Sequence, residues 1–371
     1  LVISGTGTKN ALTASTIRGN LVINSSALNT SATVVSHSIA GDIIMNGGSI
    51  TGTAATYVLN GTSAQSLTML GSIPSLTVNK ASGSVSLNSD LTINNTLTFT
   101  KGNIVTGANR VILESGSSVS GASQSTGWVE GYMKRHVATG TSVSRSFAVG
   151  SASYYAPVSV QFATVSSAGY AEASTYDNDH SELDYSGIDD AKSVNRYWLL
   201  SNLSVGFTSA SATFNWETSN MDAGSNTTIF RSGLYNGSDW TILSASSPLS
   251  NSVVANNITS FGEFAVGEKL GRSTWTGNNM TSNWFTPKNW HGGVPASDMD
   301  ALIPDGLTGG RLYPILTGST GVVKDVNVEA NASLVINAGT LQIGGAITNA
   351  GTLSATDGTV EFNGSSAQTI P

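Results

Sequence analysis

The chain has no cysteine, so it carries no disulfide and no thiolate metal site, although this alone does not fix a compartment. Charge is also scarce. Only 11% of residues are Asp, Glu, Lys or Arg, against about 25% in an ordinary soluble domain. The 16 basic residues form no cluster that could follow a phosphate backbone, which excludes nucleic acid as an expected partner. No apolar run approaches the roughly 20 residues of a membrane-spanning helix, and no stretch keeps a 3.6-residue period, so helix is largely excluded. The chain starts at Leu1 and shows no charged-then-apolar leader. It is expected to be a processed product or a window of a longer protein.

What remains is rich in Ser, Thr, Asn and Gly, with 39% hydrophobic residues in short, regularly placed groups. Such a bias would suggest disorder if apolar residues were few. Here it describes a folded chain whose surface is wetted by hydroxyls and amides. Residues 1–124 carry apolar triplets every few residues: Leu21-Val22-Ile23, Thr33-Val34-Val35, Ile43-Ile44-Met45, Tyr57-Val58-Leu59, Leu76-Thr77-Val78, Val85-Ser86-Leu87, Leu91-Thr92-Ile93, Leu97-Thr98-Phe99 and Val111-Ile112-Leu113. Asn-Gly, Ser-Gly and Lys-Gly turns separate them, where Gly and Asn accept positive φ. Strands this short suit a solenoid, in which each rung is covered by the next.

Residues 125–270 hold more aromatics and longer alternating runs, such as Ala156–Phe162 and Ser211–Trp216. Alternation marks antiparallel strands with one buried face. The expected fold is therefore all-β: right-handed parallel β-helix (solenoid) segments with an interposed antiparallel, immunoglobulin-like β-sandwich. Residues 271–313 form a Trp-rich cap, and residues 314–371 start a further β-helix segment, with Val326-Asn327-Val328, Leu334-Val335-Ile336, Leu341-Gln342-Ile343 and Val360-Glu361-Phe362 as its strands.

Trp275, Trp284 and Trp290 sit where that segment begins. An open first rung needs cover for its apolar surface and strand edges, and Trp is large with one hydrogen bond to give. Interleaved Gly and Pro favour this cap over the rival, a platform on which sugar rings stack. Two nine-residue stretches parallel each other, identical at five positions and conservative at the other four: Leu59-Asn60-Gly61-Thr62-Ser63-Ala64-Gln65-Ser66-Leu67 and Phe362-Asn363-Gly364-Ser365-Ser366-Ala367-Gln368-Thr369-Ile370. The match suggests a tandem unit running cap, β-helix, sandwich.

Chemistry-bearing residues are thin. His37, His136, His180 and His291 show no metal-ligand spacing. There is no P-loop, no dinucleotide fingerprint and no nucleophile elbow. The solenoid acids are scattered, which argues against a polysaccharide-degrading β-helix enzyme. Six of the 23 acids do fall together, as Asp177, Asp179, Glu182, Asp184, Asp189 and Asp190. Asp177, Asp179, Glu182 and Asp184 are candidate Ca²⁺ ligands, set against a solvated loop. The spacing lacks the Gly and Glu of an EF-hand, and no other cofactor is expected.

The cap stretch Trp275-Thr276-Gly277, Asn283-Trp284 and Lys288-Asn289-Trp290-His291-Gly292-Gly293-Val294-Pro295 resembles repeat openings in the giant, repetitive surface proteins of Bacteroidota. So do the Asn363–Ile370 turn and the sandwich strands Val194–Trp198 and Ser260–Gly267. That resemblance implies a non-enzymatic adhesin or extracellular filament, secreted by the type IX system to the cell surface and related to gliding-motility adhesins. The partners it implies are the chain itself, as tandem repeats or polymerising subunits, and surface glycans. A carbohydrate-binding module or a polysaccharide-degrading β-helix enzyme is the alternative.

Overall fold

The computed structural model describes residues 1–30 and 34–368; Thr33, Thr369 and Ile370 of the groups quoted above lie outside them. The protein is all-β, with 54% of residues in strands and 3% in helix, and it contains a β-solenoid. It divides into two compact units. The first comprises Leu1–Asp177, Tyr197–Asn220 and Asn251–Gly262; the second comprises Asn178–Arg196, Met221–Ser250 and the chain from Glu263 onward. The division does not follow chain order, and residues 125–270 contribute to both units.

In the first unit short strands stack in parallel on three sides. One side runs Val2–Ile3, Leu21–Ile23, Ile43–Met45, Gln65–Thr68 and Val85–Leu87. A second runs Ser15–Ile17, Ser36–Ile39, Thr56–Leu59, Ser75–Asn79, Thr96–Lys101 and Ser118–Ser120. The third is made of Lys9–Asn10, Ala27–Asn29 and Ser49–Thr51, with Ser72–Ile73 and Leu91–Ile93 in later rungs. The register keeps like above like: Leu21 pairs with Ile43, and Ile43 with Leu67. Leu21, Ile23, Ile39, Ile43, Met45, Leu59, Leu67, Leu76 and Val78 all point inward and are buried. Each such side chain contributes about 1.5–3 kcal/mol, and β-branched neighbours pack along the pleat. At the corners the amides ladder, Asn46 Nδ2 donating to Asn24 Oδ1 at 2.9 Å and Asn29 Nδ2 to Asn10 Oδ1 at 2.9 Å. A surface poor in charge thus still satisfies its polar groups.

The last rungs merge two sides. Ile104–Leu113 is one strand that pairs first with Val85–Leu87 and then with Leu91–Ile93, bending between Val105 and Arg110. Gly107 sits in the bend at φ +59°, where a side chain would be strained. Val129–Val137 then lies parallel on this strand (Ile104 beside Val129, Val111 beside Met133). Its other edge runs antiparallel to Gly169–Asp177, Met133 facing Ala173. One strand thus converts a parallel stack into an antiparallel sheet and leaves the last rung no free edge there. Side chains fasten the joint. Arg110 Nε meets Glu172 Oε2 at 2.6 Å, the Tyr170 hydroxyl donates to Glu114 Oε2 at 2.7 Å, and the Tyr132 and Tyr176 hydroxyls meet at 2.8 Å.

The opposing sheet of the first unit orders Gly140–Phe147, Val158–Ser167, Ala210–Asn215 and Ser252–Ile258, all antiparallel. Its alternating Val158, Val160, Phe162, Ala212, Phe214, Val253 and Ala255 are buried, with Trp198 packed on Phe214 at 5.1 Å.

The second unit holds antiparallel Phe230–Tyr235 between Trp240–Leu243 and Glu263–Lys269. It also holds a second three-sided stack. Its sides are Arg272–Trp275, Asp300–Ile303, Val326–Val328 and Ile347–Asn349; Ile315–Leu316, Ser333–Ile336 and Thr352–Ala355; and Thr320–Val323, Thr340–Ile343 and Thr359–Phe362.

Candidate functional site

The three cap tryptophans converge. Trp275, Trp284 and Trp290 are each 0% exposed and share one apolar cluster with Ile303, Leu316, Val323 and Leu334. Trp290 meets both others edge to face, at 5.0 Å from Trp275 and 4.7 Å from Trp284, an arrangement that suits the ring quadrupoles. Trp275 Nε1 donates to the Leu312 carbonyl at 2.8 Å and Trp290 Nε1 to the Trp284 carbonyl at 2.7 Å. Their faces are spent inside the second stack, and none is offered to a sugar ring. Asn289, also 0% exposed, organises the surrounding loop. Its Nδ2 donates to the Thr281 and Asn283 carbonyls, and its Oδ1 accepts from the Asn279 amide at 3.0 Å. The sequence quoted Asn289 inside a motif without assigning it this work.

The acidic run does not gather around one point. Asp177 ends a strand of the first unit. In the second unit Asp179 Oδ1 accepts from the Ser193 hydroxyl at 2.8 Å. Burial, countered in part by that bond, pushes its pKa up, and Asp222, Asp190 and Asp184 push it further. Glu182 Oε2 pairs with Lys288 Nζ at 2.7 Å. Among the described residues, three metal-type ligands come within 4.8 Å of one another only at Asp184, Asp190 and His291. The run Asp177, Asp179, Glu182, Asp184 is thus divided among separate partners, and only Asp184 joins that group. His180 is buried; its Nδ1 accepts from the Glu182 amide at 3.1 Å, so Nε2 carries the proton facing Glu263 Oε2 at 2.7 Å.

The duplicated stretch performs the same task twice. Gln65 Oε1 accepts from the Gly61 amide at 2.9 Å, and its Nε2 donates to the Ile39 and Gly41 carbonyls of the preceding rung. Gln368 Oε1 accepts from the Gly364 amide at 2.8 Å, and its Nε2 donates to the Ile343 and Gly345 carbonyls. The glycine recurs for a reason of space. A Cβ on Gly61 would strike the Ala40 carbonyl, and one on Gly364 the Gly344 carbonyl. In the first unit a cation completes the clamp. Lys80, 1% exposed, donates to the Gly61 carbonyl, the Ser63 carbonyl and Gln65 Oε1 at 2.6, 2.6 and 2.8 Å. Burial lowers its pKa, with Asp42 pulling the other way. The repeated Gln was the signal for this clamp in the sequence; nothing local marked Lys80. No protein-family model, curated protein or solved structure matches the chain.

Proposed function

We propose that the chain is a structural and adhesive segment of a bacterial cell-surface adhesin or extracellular filament, secreted and built by repetition. The observation that carries this reading is the amide clamp made by the matching Gly and Gln of the two parallel stretches, Gly61 with Gln65 and Gly364 with Gln368, one in each stack. A repeated rung device is what a protein extended by adding like units would contain. The hydroxyl- and amide-rich surface lets like surfaces approach with little repulsion. The resemblance to giant Bacteroidota surface proteins supplies the setting, including type IX export and kinship with gliding adhesins. On this reading the chain's partners are further copies of itself, in tandem or by polymerisation, and surface glycans, and it is not an enzyme.

Deleting the coding segment for this chain in the producing organism tests the proposal. Loss of surface fibres or of attachment is the expected result, and unchanged fibres and attachment would overturn it.

A further inference from the structure

In the first unit, where the solenoid gives way to the antiparallel sheets, there is an open cleft of about 480 Å³. Arg135, Tyr155, Ser159, Asn215, Glu217 and Asn251 are among its lining residues. Arg135 is partly buried; its Nη1 donates to the Ser146 carbonyl at 2.7 Å and its Nη2 to the Ser117 carbonyl at 2.8 Å. A guanidinium has five N–H donors, so two carbonyls anchor it without using it up or neutralising it. Burial first, and the charge of Arg145 second, push the Arg135 pKa down to about 10, and no carboxylate offsets them. Arg145 is itself lowered by burial and donates to the His136 and Ser144 carbonyls.

Elsewhere Arg110, Lys269, Lys288 and Lys324 each meet a carboxylate. In a chain of net charge −7, Arg135 lines an open cleft, is held there by carbonyls and is repelled by Arg145, so an added anion can supply its counter-charge. The one carboxylate of that lining, Glu217, is not among the groups acting on it. The rest of the wall combines amides and hydroxyls with one carboxylate, Glu217, and with apolar and aromatic surface from Phe147, Trp216 and Tyr155; Tyr155 leans on Trp128 at 5.9 Å. That mixture suits a polyhydroxylated ring more than a lipid or a peptide side chain.

We propose that this cleft binds an anionic saccharide, a uronate or a sulfated sugar, through Arg135, with the ring against Tyr155 and its hydroxyls on Ser159, Asn215, Glu217 and Asn251. The site stands or falls independently of whether the chain belongs to a filament.

Calorimetric titration of the whole chain with oligogalacturonate, sulfated dextran oligomers and neutral dextran provides the test. Binding of one or both anionic sugars, and not of neutral dextran, is expected. The sugar that binds identifies carboxylate or sulfate as the preferred group. Asn251→Asp places a negative charge at an exposed lining position; it should weaken binding about tenfold through like-charge repulsion while the melting temperature holds. Arg135→Gln should abolish binding. Absence of binding by both anionic sugars, equal binding of neutral dextran, or undiminished affinity in a folded Asn251→Asp protein would each overturn the proposal.

Discussion

At the scale of residues, the solenoid interior depends on a few polar side chains as well as on its apolar ones. Gln65 joins two rungs and also receives Lys80. Truncating it leaves a buried amide N–H, a buried carbonyl and a buried ammonium each short of a partner. Gln65→Ala should therefore cost about 2–4 kcal/mol, from the price of leaving buried polar and charged groups unmet. Gln368→Ala, at a partly exposed position, should cost only about 1 kcal/mol. Urea denaturation of the two variants checks the order.

Tyrosine sets an alkaline limit. Burial pushes the Tyr57 phenol up to about 12, and the bond to Glu114, then burial, does the same for Tyr170. Above the ordinary value of 10.0 the unfolded chain releases phenolic protons that the folded chain keeps. Stability is thus complete below pH 10 and falls between about pH 10 and about 12. Tyrosinate absorbance followed alongside unfolding should show this loss, and Tyr170→Phe should reduce it.

At the scale of elements, what the sequence disclosed depended on apolar content. Leu21–Ile23, Ile43–Met45, Val85–Leu87, Leu91–Ile93 and Val326–Val328 are strands where their triplets placed them. Lys9–Asn10, Gln65–Thr68 and Ser118–Ser120 escaped notice because their side chains give no apolar rhythm; stacking on the neighbouring rung makes them strands. The Thr33-Val34-Val35 group misled in the opposite sense. Val34 is 84% exposed and the strand starts at Ser36, because His37 and Ile39 are the residues that alternate inward.

The interleaved Gly and Pro favoured buried tryptophans over a stacking platform, and Trp275, Trp284 and Trp290 are each 0% exposed. Their edge-to-face convergence on Trp290 is set by the fold and had no signal in the spacing. Trp290→Ala, at the centre of that cluster, should cost about 3–5 kcal/mol and abolish the near-ultraviolet circular dichroism of the packed rings. The strand Val129–Val137 could not be foreseen as a joint, because pairing parallel on one edge and antiparallel on the other is a property of its neighbours. Arg110→Ala leaves Glu172, with 8% of its side chain exposed, uncompensated. It should therefore destabilise the first unit more than Glu172→Ala, which leaves the more exposed Arg110, by about 1 kcal/mol.

At the scale of the whole molecule, stability rests on rung stacking and on hydroxyl and amide bonds, with few ion pairs in a chain only 11% charged. Raising sodium chloride from low to molar concentration should change the unfolding free energy by less than about 1 kcal/mol, since exposed pairs contribute little and are the ones salt screens. Scanning calorimetry across that range measures it. The larger claim is that such chains serve outside the cell as repeated parts of a surface fibre. Immunogold electron microscopy of the producing cells, with antibody raised against this chain, tests it most directly. Gold along fibres or over the outer surface is the expected result, and gold confined to the cell interior would contradict it.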